Sequence, residues 1–418
     1  MKGSFGARGA LDWYLSCCRR GWETVPDAEI EPRYRSGSSV AGFRATATRS
    51  SRSLGAFVVV DVVQLDEHRV MAMLDADGVV WSVLAITERE PPYRIATCLV
   101  AKAPPTDITV RSATPADGPA IAKLIRRSPV VDGAVTRWYD YGTDYFKATS
   151  SAGACSIVAE HVGQLVAVHG LAPFDAHFGA GRTARLGLLR HTRIDPTMQG
   201  SGLFGALQLE LMSHTFPDLD QGCSLVAVGN TAMLDKLPDD LRRWRVTMER
   251  YTLDCRSLGK GDATLPGVPC SSVDAIELLD ASHQLEYLCR ATSPEALASV
   301  PAQRRRRQGG AVVAVADNVV AITTEDGETR VTRSEVTALE LGCATDAPED
   351  LRRLLREWCG HLYGQGIDDL LCYASSASPL RPLLAGLASH VDAFVLNLTL
   401  DPPDDLGERG IHLTPALL

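Results

Sequence analysis

The chain has 418 residues, 45% hydrophobic and 22% charged, with a formal net charge of −9, a length that allows two or three domains. The acidic balance argues against general nucleic-acid binding and gives no reason to expect an anionic membrane as partner, and no apolar stretch reaches the length of a membrane span. The eleven cysteines are odd in number and scattered without Cys-x-x-Cys spacing, and no signal-peptide core precedes them; this favours a cytoplasmic, reducing location over a disulfide framework or a zinc site.

Residues 1–104 form the first block, for which the patterns predict a small α+β domain. A helix is expected around Leu11 to Trp22, followed by strands at Leu54 to Val63, Arg69 to Thr87 and Tyr93 to Val100. The second strand run is broken at Asp75-Ala76-Asp77-Gly78, and Asp-Gly between apolar runs favours a hairpin. A helix before a curled meander that ends in PPYRI resembles the nuclear-transport-factor-like (SnoaL-like) cone fold. The resemblance implies either a small-molecule pocket or, in an appended domain, a unit that only packs or dimerises, so a homodimer is one expectation.

The tandem prolines at Pro104-Pro105 mark a boundary, and a second block follows over residues 107–258. It opens with a strand at Ile108 to Arg111 and a helix capped at Thr114, whose apolar positions Ile121, Leu124 and Ile125 point inward. An aromatic and acidic stretch precedes the remaining elements. These are strands at Cys155 to Glu160, Leu165 to Leu171 and Arg185 to Ile194, a helix, a strand at Ser224 to Val228, a helix at Asn230 to Leu237 and a strand at Val246 to Leu253.

The segment LLRHTRIDPTMQGSGLFGAL, residues 188–207, is the most informative part of the chain. An apolar strand ends at Ile194 and is stopped by Asp195-Pro196. The chain then turns through Gln199-Gly200-Ser201-Gly202 into a helix with Leu203, Leu207 and Leu211 on one face. A helix N-terminus presents unpaired N–H groups and a positive dipole, and glycines allow close backbone approach, so the loop suits a phosphate. An ordinary strand-to-helix turn is the alternative interpretation.

This loop resembles motif A of the GNAT superfamily of acyl-CoA-dependent N-acetyltransferases, which reads Gln/Arg-x-x-Gly-x-Gly/Ala. Gln199, Gly200, Ser201 and Gly202 fit, as does the lead-in Ile194-Asp195-Pro196. The last small position is Phe204, a departure from the pattern. The element order of the whole block and its opening, ITVRSATPADGPAIAKLI, resemble the family as well. The cofactor implied is acetyl-CoA or another short acyl-CoA.

The resemblance also implies roles for single residues. The backbone of Arg193 and Ile194 would face the pantetheine amides, and the amides from Gln199 to Phe204, Leu203 included, would hold the pyrophosphate. A strand N–H would polarise the thioester carbonyl while the acceptor attacks directly. Asn230 stands where the family places an asparagine near the pantetheine, although a helix N-cap explains it equally well.

Acid and base are harder to assign. The tyrosine that the family often uses as the acid is missing, because that region reads Lys236-Leu237-Pro238. His191 is the first candidate for the base, since its intrinsic pKa lies near neutrality. Strand parity places it opposite Ile194 unless a bulge intervenes, so a satisfied or exposed histidine is an alternative of at least equal weight. Its substitutes lie on or after the preceding strand and are His177 and Asp175, with His169 nearby; Tyr139, Tyr141 and Tyr145 sit where the family usually roofs the acceptor site.

The third block, residues 265–418, repeats the element order and resembles a second, degenerate GNAT fold. It predicts a helix at Val273 to Ala291, strands at Ala311 to Ala316, Val319 to Thr324 and Arg330 to Leu341, a helix at Pro348 to Tyr363, a strand at Asp369 to Tyr373, a helix at Pro379 to Ser389 and a strand at Ala393 to Leu400. The loop from Cys343 to Asp350 has no glycine pair and carries three carboxylates, so this copy should not bind CoA. The expected fold class is therefore α+β or α/β, with tandem GNAT folds, each a mixed central sheet flanked by helices, behind a cone-like domain.

These features favour an acyl-CoA-dependent acyltransferase, in the first place an N-acetyltransferase for a small-molecule amine, with no metal. The missing tyrosine keeps two alternatives open: an acyl-thioester decarboxylase or S-acyl transferase that works with a carrier protein, and a non-catalytic acyl-CoA-binding scaffold. Arg304 to Arg307 is expected to be a solvated loop. Its sharper interpretation is a docking site for an acidic acyl-carrier protein or for the 3′-phosphate of CoA.

Overall fold

The computed structural model describes residues 6–34, 40–88, 94–149, 154–177, 183–215, 219, 221–234, 245–259, 264–283, 286–289, 302–398 and 411–413. Within those residues, no helix is long and apolar enough to cross a membrane. Tyr93 and the last two residues of the strand expected up to Leu400 lie outside them.

The first block is a four-stranded antiparallel meander packed on helices. Its elements are α1 (Ala7–Arg20), α2 (Asp27–Ile30), α3 (Val40–Leu54), β1 (Val58–Gln64), β2 (Arg69–Ala76), β3 (Val79–Thr87) and β4 (Ile95–Lys102). The predicted Asp-Gly hairpin is confirmed, with Asp77 and Gly78 at φ 53° and 78°. The prediction of a strand from Leu54 is wrong, because Leu54 ends the unforeseen helix α3 and is buried against the sheet.

The second block contains the expected elements and one hairpin more. They are β5 (Ile108–Ser112), α4 (Gly118–Arg127), β6 (Val130–Asp132), β7 (Val135–Asp140), α5 (Tyr145–Thr149), β8 (Cys155–His161), β9 (Gln164–His177), β10 (Thr183–Ile194), α6 (Leu203–Thr215), β11 (Gln221–Ala227), α7 (Thr231–Leu234), β12 (Arg245–Asp254) and α8 (Cys255–Leu258). The predicted cap is a full capping box between Thr114 and Asp117. Ile121, Leu124 and Ile125 are buried, as predicted.

The third block follows the predicted order over most of its length. Its elements are β13 (Val268–Pro269), α9 (Ser272–His283), β14 (Tyr287–Cys289), β15 (Arg305–Gln308), β16 (Ala311–Val315), β17 (Val320–Asp326), β18 (Thr329–Cys343), α10 (Pro348–Gly364), β19 (Asp369–Ser375), α11 (Arg381–Ala385), β20 (His390–Leu398) and β21 (Ile411–Leu413). The helix expected through Ala291 ends at His283, because Tyr287–Cys289 pairs as a strand with β9 and β21.

One mixed sheet runs through the second and third blocks. Its strand order is β6-β7-β17-β18-β19-β12-β20-β11-β10-β9-β8-β5. The final strands of the two blocks are exchanged: β20 pairs with β11, whereas β12 pairs with β19, and β20 and β12 pair with each other. Parallel pairs flank this centre on both sides, β10 with β11 and β18 with β19. Neither block therefore completes its sheet alone.

The sheet of the first block packs on α6. Leu84, Ile86 and Ala101 share a buried core with Leu203 and Leu207 of that helix. A Cβ on Gly205 would lie 3.0 Å from Cβ of Ala101, so the contact is close. This packing brings the end of β4 to the loop before α6.

Candidate functional site

The sheet opens between β10 and β11. The two strands pair in parallel only from Leu186↔Gln221 to Leu189↔Ser224. Beyond that point β10 continues to Ile194, while β11 stays paired with β20 as far as Ala227↔Phe394. In the described part of the chain, the β10–β11 pairing therefore ends at Leu189↔Ser224, and the sheet opens between the later part of β10 and β11.

A β-bulge lies at the start of this opening. Arg190 pairs with Gly170 and Arg193 with Val168, so His191 and Thr192 both face His169 across the pair. His191 has φ 51°, an uncommon conformation for a residue other than glycine. The bulge turns its ring toward α5, where Nδ1 lies 2.7 Å from the Tyr145 hydroxyl. Ile194 packs instead into the core beneath α6, so the two side chains lie on opposite faces, although the bulge interrupts the strand alternation on which the parity argument depends.

The three tyrosines predicted to roof the acceptor site lie around this bulge. The rings of Tyr141 and Tyr145 are 5.6 and 5.4 Å from that of His191, and the Arg193 guanidinium lies 5.3 Å from the Tyr139 ring. Burial raises the pKa of Tyr141 and of Tyr145. Both phenols are therefore protonated at neutral pH and act as hydrogen-bonding groups.

The loop after Ile194 is shaped by its own side chains. Asp195 accepts hydrogen bonds from the backbone N–H and the hydroxyl of Thr197, at 3.1 and 2.7 Å, and pairs with Arg127 at 2.9 Å. The hydrogen bond from the Thr197 hydroxyl lowers the pKa of Asp195, and Arg127 lowers it further, although burial acts in the opposite direction. The carboxylate is therefore charged at neutral pH and fixes the turn.

Not every loop amide is available to a ligand. Gln199 and Ser201 donate within the turn, to the carbonyls of Pro196 and Met198. Gly200 and Gly202 have φ 81° and 89°, which only glycine adopts freely. The N–H groups of Gly200, Gly202, Leu203 and Phe204 donate to no atom of the described residues. They form a set of backbone donors at the start of α6.

Lys102, at the end of β4, lies over this loop and was not predicted. A Cβ built on Gly202 would lie 3.4 Å from Cβ of Lys102 and 3.7 Å from its Cδ. The side chain is exposed, and no salt bridge holds its ammonium group among the described residues. A cation from the first block thus stands beside the donors of the second. Nothing in the local sequence signals this, because it depends on how β4 packs on α6.

His169 is buried beneath the bulge, 1% exposed. Its Nδ1 lies 2.7 Å from the Thr192 hydroxyl, and its ring lies 5.6 Å from that of Phe204. Burial lowers the pKa of His169 to about 4, so the ring is neutral. Nε2 has no hydrogen-bond partner in the described structure.

The other predicted site residues lie elsewhere or have structural roles. The Asn230 side chain accepts from the Met233 N–H at 3.2 Å and so caps α7. Asp175 pairs with Arg185 at 3.0 Å on the surface. Asp175 and His177 face Arg185 and Thr183 at the start of β10, many residues from the bulge at its end. The structure does not bring them together with His191.

A polar cluster of Tyr139, Tyr141, Arg250, Glu335 and Tyr373 extends from the bulge into the third block. Tyr373 is electrostatically coupled to Tyr141 on one side and to Arg250 and Glu335 on the other. Burial raises the pKa of Glu335 to about 7, with Arg250 opposing, and Oε2 of Glu335 makes no hydrogen bond to any described residue. In the sequence, Glu335 resembles any other glutamate on a strand, so no local signal identifies it as a site residue.

Asp392 holds this cluster to β7. It lies 2.7 Å from the guanidinium of Arg137 and 2.5 Å from that of Arg250. Burial alone would raise the pKa of Asp392, but Arg250 and Arg137 outweigh it and the pKa is lowered. The ion pair joins residues 255 positions apart in the chain.

The prediction of a solvated arginine loop is wrong. Arg305–Gln308 is strand β15, and Arg305 and Arg306 are each 7% exposed. Arg306 donates to the carbonyls of Pro266 and Gly267 at 2.5 and 2.8 Å, which satisfies the buried guanidinium. In the third block, Asp350 lies in the first turn of α10, and its carboxylate accepts a hydrogen bond from the Gly310 N–H at 3.1 Å.

No family model matches the sequence, and no curated protein matches it. Two structures of N-myristoyltransferase from Saccharomyces cerevisiae with bound myristoyl-CoA are similar. One has a TM-score of 0.51 at 10% identity over 71% of this chain and 80% of that chain; the other has 0.50 at 12% over 73% and 88%. A GCN5-related N-acetyltransferase from Sphaerobacter thermophilus has a TM-score of 0.40 at 13% identity, over 72% and 99%. The similarity to the first two concerns the fold alone, a large mixed sheet flanked by helices.

Proposed function

We propose that the protein is an acyl-CoA-dependent acyltransferase that transfers a short acyl group to a small-molecule amine. The observation that carries the proposal is the opening of β10 from β11 directly before a loop with unpaired amides. An extended pantetheine fits such an opening as an added strand, and a diphosphate fits donors at a helix N-terminus beside Lys102. The similar N-myristoyltransferase structures hold myristoyl-CoA, which supports an acyl-CoA as the donor.

Transfer needs an activated carbonyl and a deprotonated acceptor. Backbone N–H groups of β10 beside the opening are suited to polarise the thioester carbonyl, which is stabilisation by backbone dipoles. The amine nitrogen attacks the carbonyl carbon and loses a proton to the base. The C–S bond then breaks, and the departing thiolate takes up a proton to leave as the CoA thiol. His191 is the proposed base: its Nδ1 lies 2.7 Å from the Tyr145 hydroxyl, which orients the ring at the bulge, and an imidazole is the side chain that most often serves as a general base.

The acceptor is proposed to enter along the polar cluster. Its tyrosines and Glu335 supply hydrogen bonds and a carboxylate that attract a small cationic or polar amine. Glu335, with its pKa raised to about 7, is a second group able to exchange a proton near neutrality. No described feature favours a carrier protein, since the arginines proposed to dock it are partly buried in β15.

The test is turnover with acetyl-, propionyl- and malonyl-CoA, followed by thiol release and mass spectrometry in the presence of a panel of small amines. An acylated amine with one thiol released per transfer is expected. His191→Gln should lower kcat, whereas His161→Ala, a surface histidine paired with Asp107, should not. Loss of CO₂ from malonyl-CoA without an acceptor would favour the decarboxylase alternative instead. Tight CoA binding without turnover would favour the non-catalytic acyl-CoA-binding scaffold. Absence of CoA binding would refute it.

A further inference from the structure

Four ionisable side chains are buried together in the third block, away from the proposed acyl-CoA site. They are His283 at the end of α9, Glu286 just after it, Glu340 on β18 and His412 on β21, and their exposures are 0%, 7%, 3% and 4%. One ligand atom from each of His283, Glu286 and His412 lies within 4.8 Å of the others. We name these three residues the His–Glu–His cluster.

Both imidazoles are held by their Nε2 atoms. Nε2 of His283 lies 3.0 Å from the Leu341 carbonyl, and Nε2 of His412 lies 2.9 Å from the Glu340 carboxylate. Histidines that bind metals commonly donate the other ring N–H to a backbone carbonyl or a carboxylate, which fixes the tautomer. In each ring Nδ1 is then the nitrogen that can bind a metal ion.

Glu286 supplies the third ligand. Its Oε2 lies 2.5 Å from Nδ1 of His283, whereas Oε1 is buried and has no hydrogen-bond partner within the described part of the chain. The Ser378 hydroxyl is a further polar neighbour. An oxygen so enclosed and unpaired is costly unless a proton or a cation satisfies it.

The charges of the four residues also favour a cation. The rings of His283 and His412 are stacked, with centroids 3.6 Å apart and planes at 22°. Two imidazolium cations stacked this closely would repel, so a divalent cation between two neutral rings is the better match to the Glu286 carboxylate beside them.

We propose that the His–Glu–His cluster binds one divalent metal ion, and that Zn²⁺ is the best match. Zn²⁺ takes neutral imidazole nitrogen and carboxylate oxygen with a further site for water or a hydroxyl. Ligand atoms at a tetrahedral zinc are about 3.3 Å apart, so the cluster contracts by at most about 1.5 Å. The ion joins α9 to β21, a short strand that pairs with β14, and so fixes residues 411–413 to the body of the fold.

The test is metal binding by the full-length protein after removal of metal with a chelator. Zn²⁺ titrated against a chromophoric competitor should bind with one tight equivalent, and Co²⁺ should give the visible absorption of a four-coordinate site. Added Zn²⁺ should raise Tm. Glu286→Gln and His412→Ala should lose the tight equivalent, and the near-isosteric Glu286→Gln should keep the Tm of the metal-free protein.

The matched control is His161→Ala, which removes a histidine on the surface and should keep the tight equivalent. The proposal fails if the wild-type protein binds neither ion tightly. It also fails if tight binding survives in both Glu286→Gln and His412→Ala, because the ion would then be held elsewhere. CoA affinity is expected to be the same with and without Zn²⁺, so the result is independent of the proposed acyltransferase activity.

Discussion

Replacing Gly202 tests the phosphate loop most directly. Gly202 has φ 89°, and a Cβ there would lie 3.4 Å from the Lys102 stem. The contact is tolerable, whereas a side chain at this φ costs roughly 1–2 kcal/mol of strain. Gly202→Ala should therefore fold with a lower Tm and bind CoA more weakly, since its Cβ stands where the diphosphate approaches the backbone.

Gly202→Asp adds a charge to the same strain. A carboxylate about 4–5 Å from one phosphate charge costs about 3–4 kcal/mol at an effective dielectric constant near 20. Because 1.4 kcal/mol corresponds to a tenfold change in affinity, this repulsion weakens CoA binding by more than 100-fold. Gly202→Asn is the matched control, because asparagine has the shape of aspartate without its charge and tolerates positive φ.

Calorimetric titration with CoA at two salt concentrations separates the effects. The Asp variant should bind at least 100-fold more weakly than the Asn variant, and the gap should narrow as salt screens the repulsion. Equal CoA affinity in the Asp and Asn variants, both folded by their melting curves, would show that no phosphate lies at this loop.

Three further perturbations test the surroundings of the site. Lys102→Ala should weaken CoA binding by roughly 1 kcal/mol, about fivefold, and by less at high salt. The control Lys123→Ala, on α4, should leave CoA affinity unchanged. Equal CoA affinities of the two variants would show that Lys102 does not contact the cofactor. His169, with its pKa lowered to about 4 from about 6.5 in the unfolded chain, makes the folded state lose stability as pH falls below 6.5. The free energy of unfolding in urea should drop by about 2 kcal/mol more between pH 7 and pH 5 in wild type than in His169→Gln, and parallel profiles would contradict this. A fragment that ends at Leu258 should be insoluble or inactive, because β11 and β12 lose β20 and β19; a soluble fragment that turns over acyl-CoA would show the opposite.

Local signals predicted the loop well because its geometry is set locally. Pro196 ends the strand, and Gly200 and Gly202 take the left-handed conformations that glycine alone adopts freely. The Thr114–Asp117 capping box likewise depends on four consecutive residues. Such features are visible in one sequence.

The β6–β7 hairpin had a local signal that was missed. Asp132-Gly133 lies between β-branched residues, and Gly133 has φ 63°, so the pattern favours a hairpin. The aromatic stretch that follows was instead interpreted as the roof of the acceptor site. Tyr139 has both roles, since it belongs to β7 and lies beneath Arg193.

Other features depend on pairings that no local pattern encodes. The insertion of β20 between β11 and β12 joins residues about 175 positions apart, Cys223 with Leu398, and no local pattern in the sequence encodes a pairing over that distance. The metal cluster is similar: His283 and Glu286 are three positions apart in the sequence, but His412 comes from the far end of the chain. A histidine and a glutamate at such spacing are common on ordinary helices, so the pair alone predicts nothing.

The exchange of β12 and β20 explains how the second and third blocks can both contribute to one site beside the loop before α6. The second block supplies the opening in β10 and the amides before α6, while the third block supplies Glu335, Tyr373 and Asp392. Asp392 reaches both Arg137 and Arg250, so the two sets of side chains are fixed in one rigid arrangement. Because β20 stands between β11 and β12, the third block is needed for the sheet whether or not its own loop binds a nucleotide. The acidic residues around the start of α10 are therefore compatible with the proposed activity, which needs only the loop before α6.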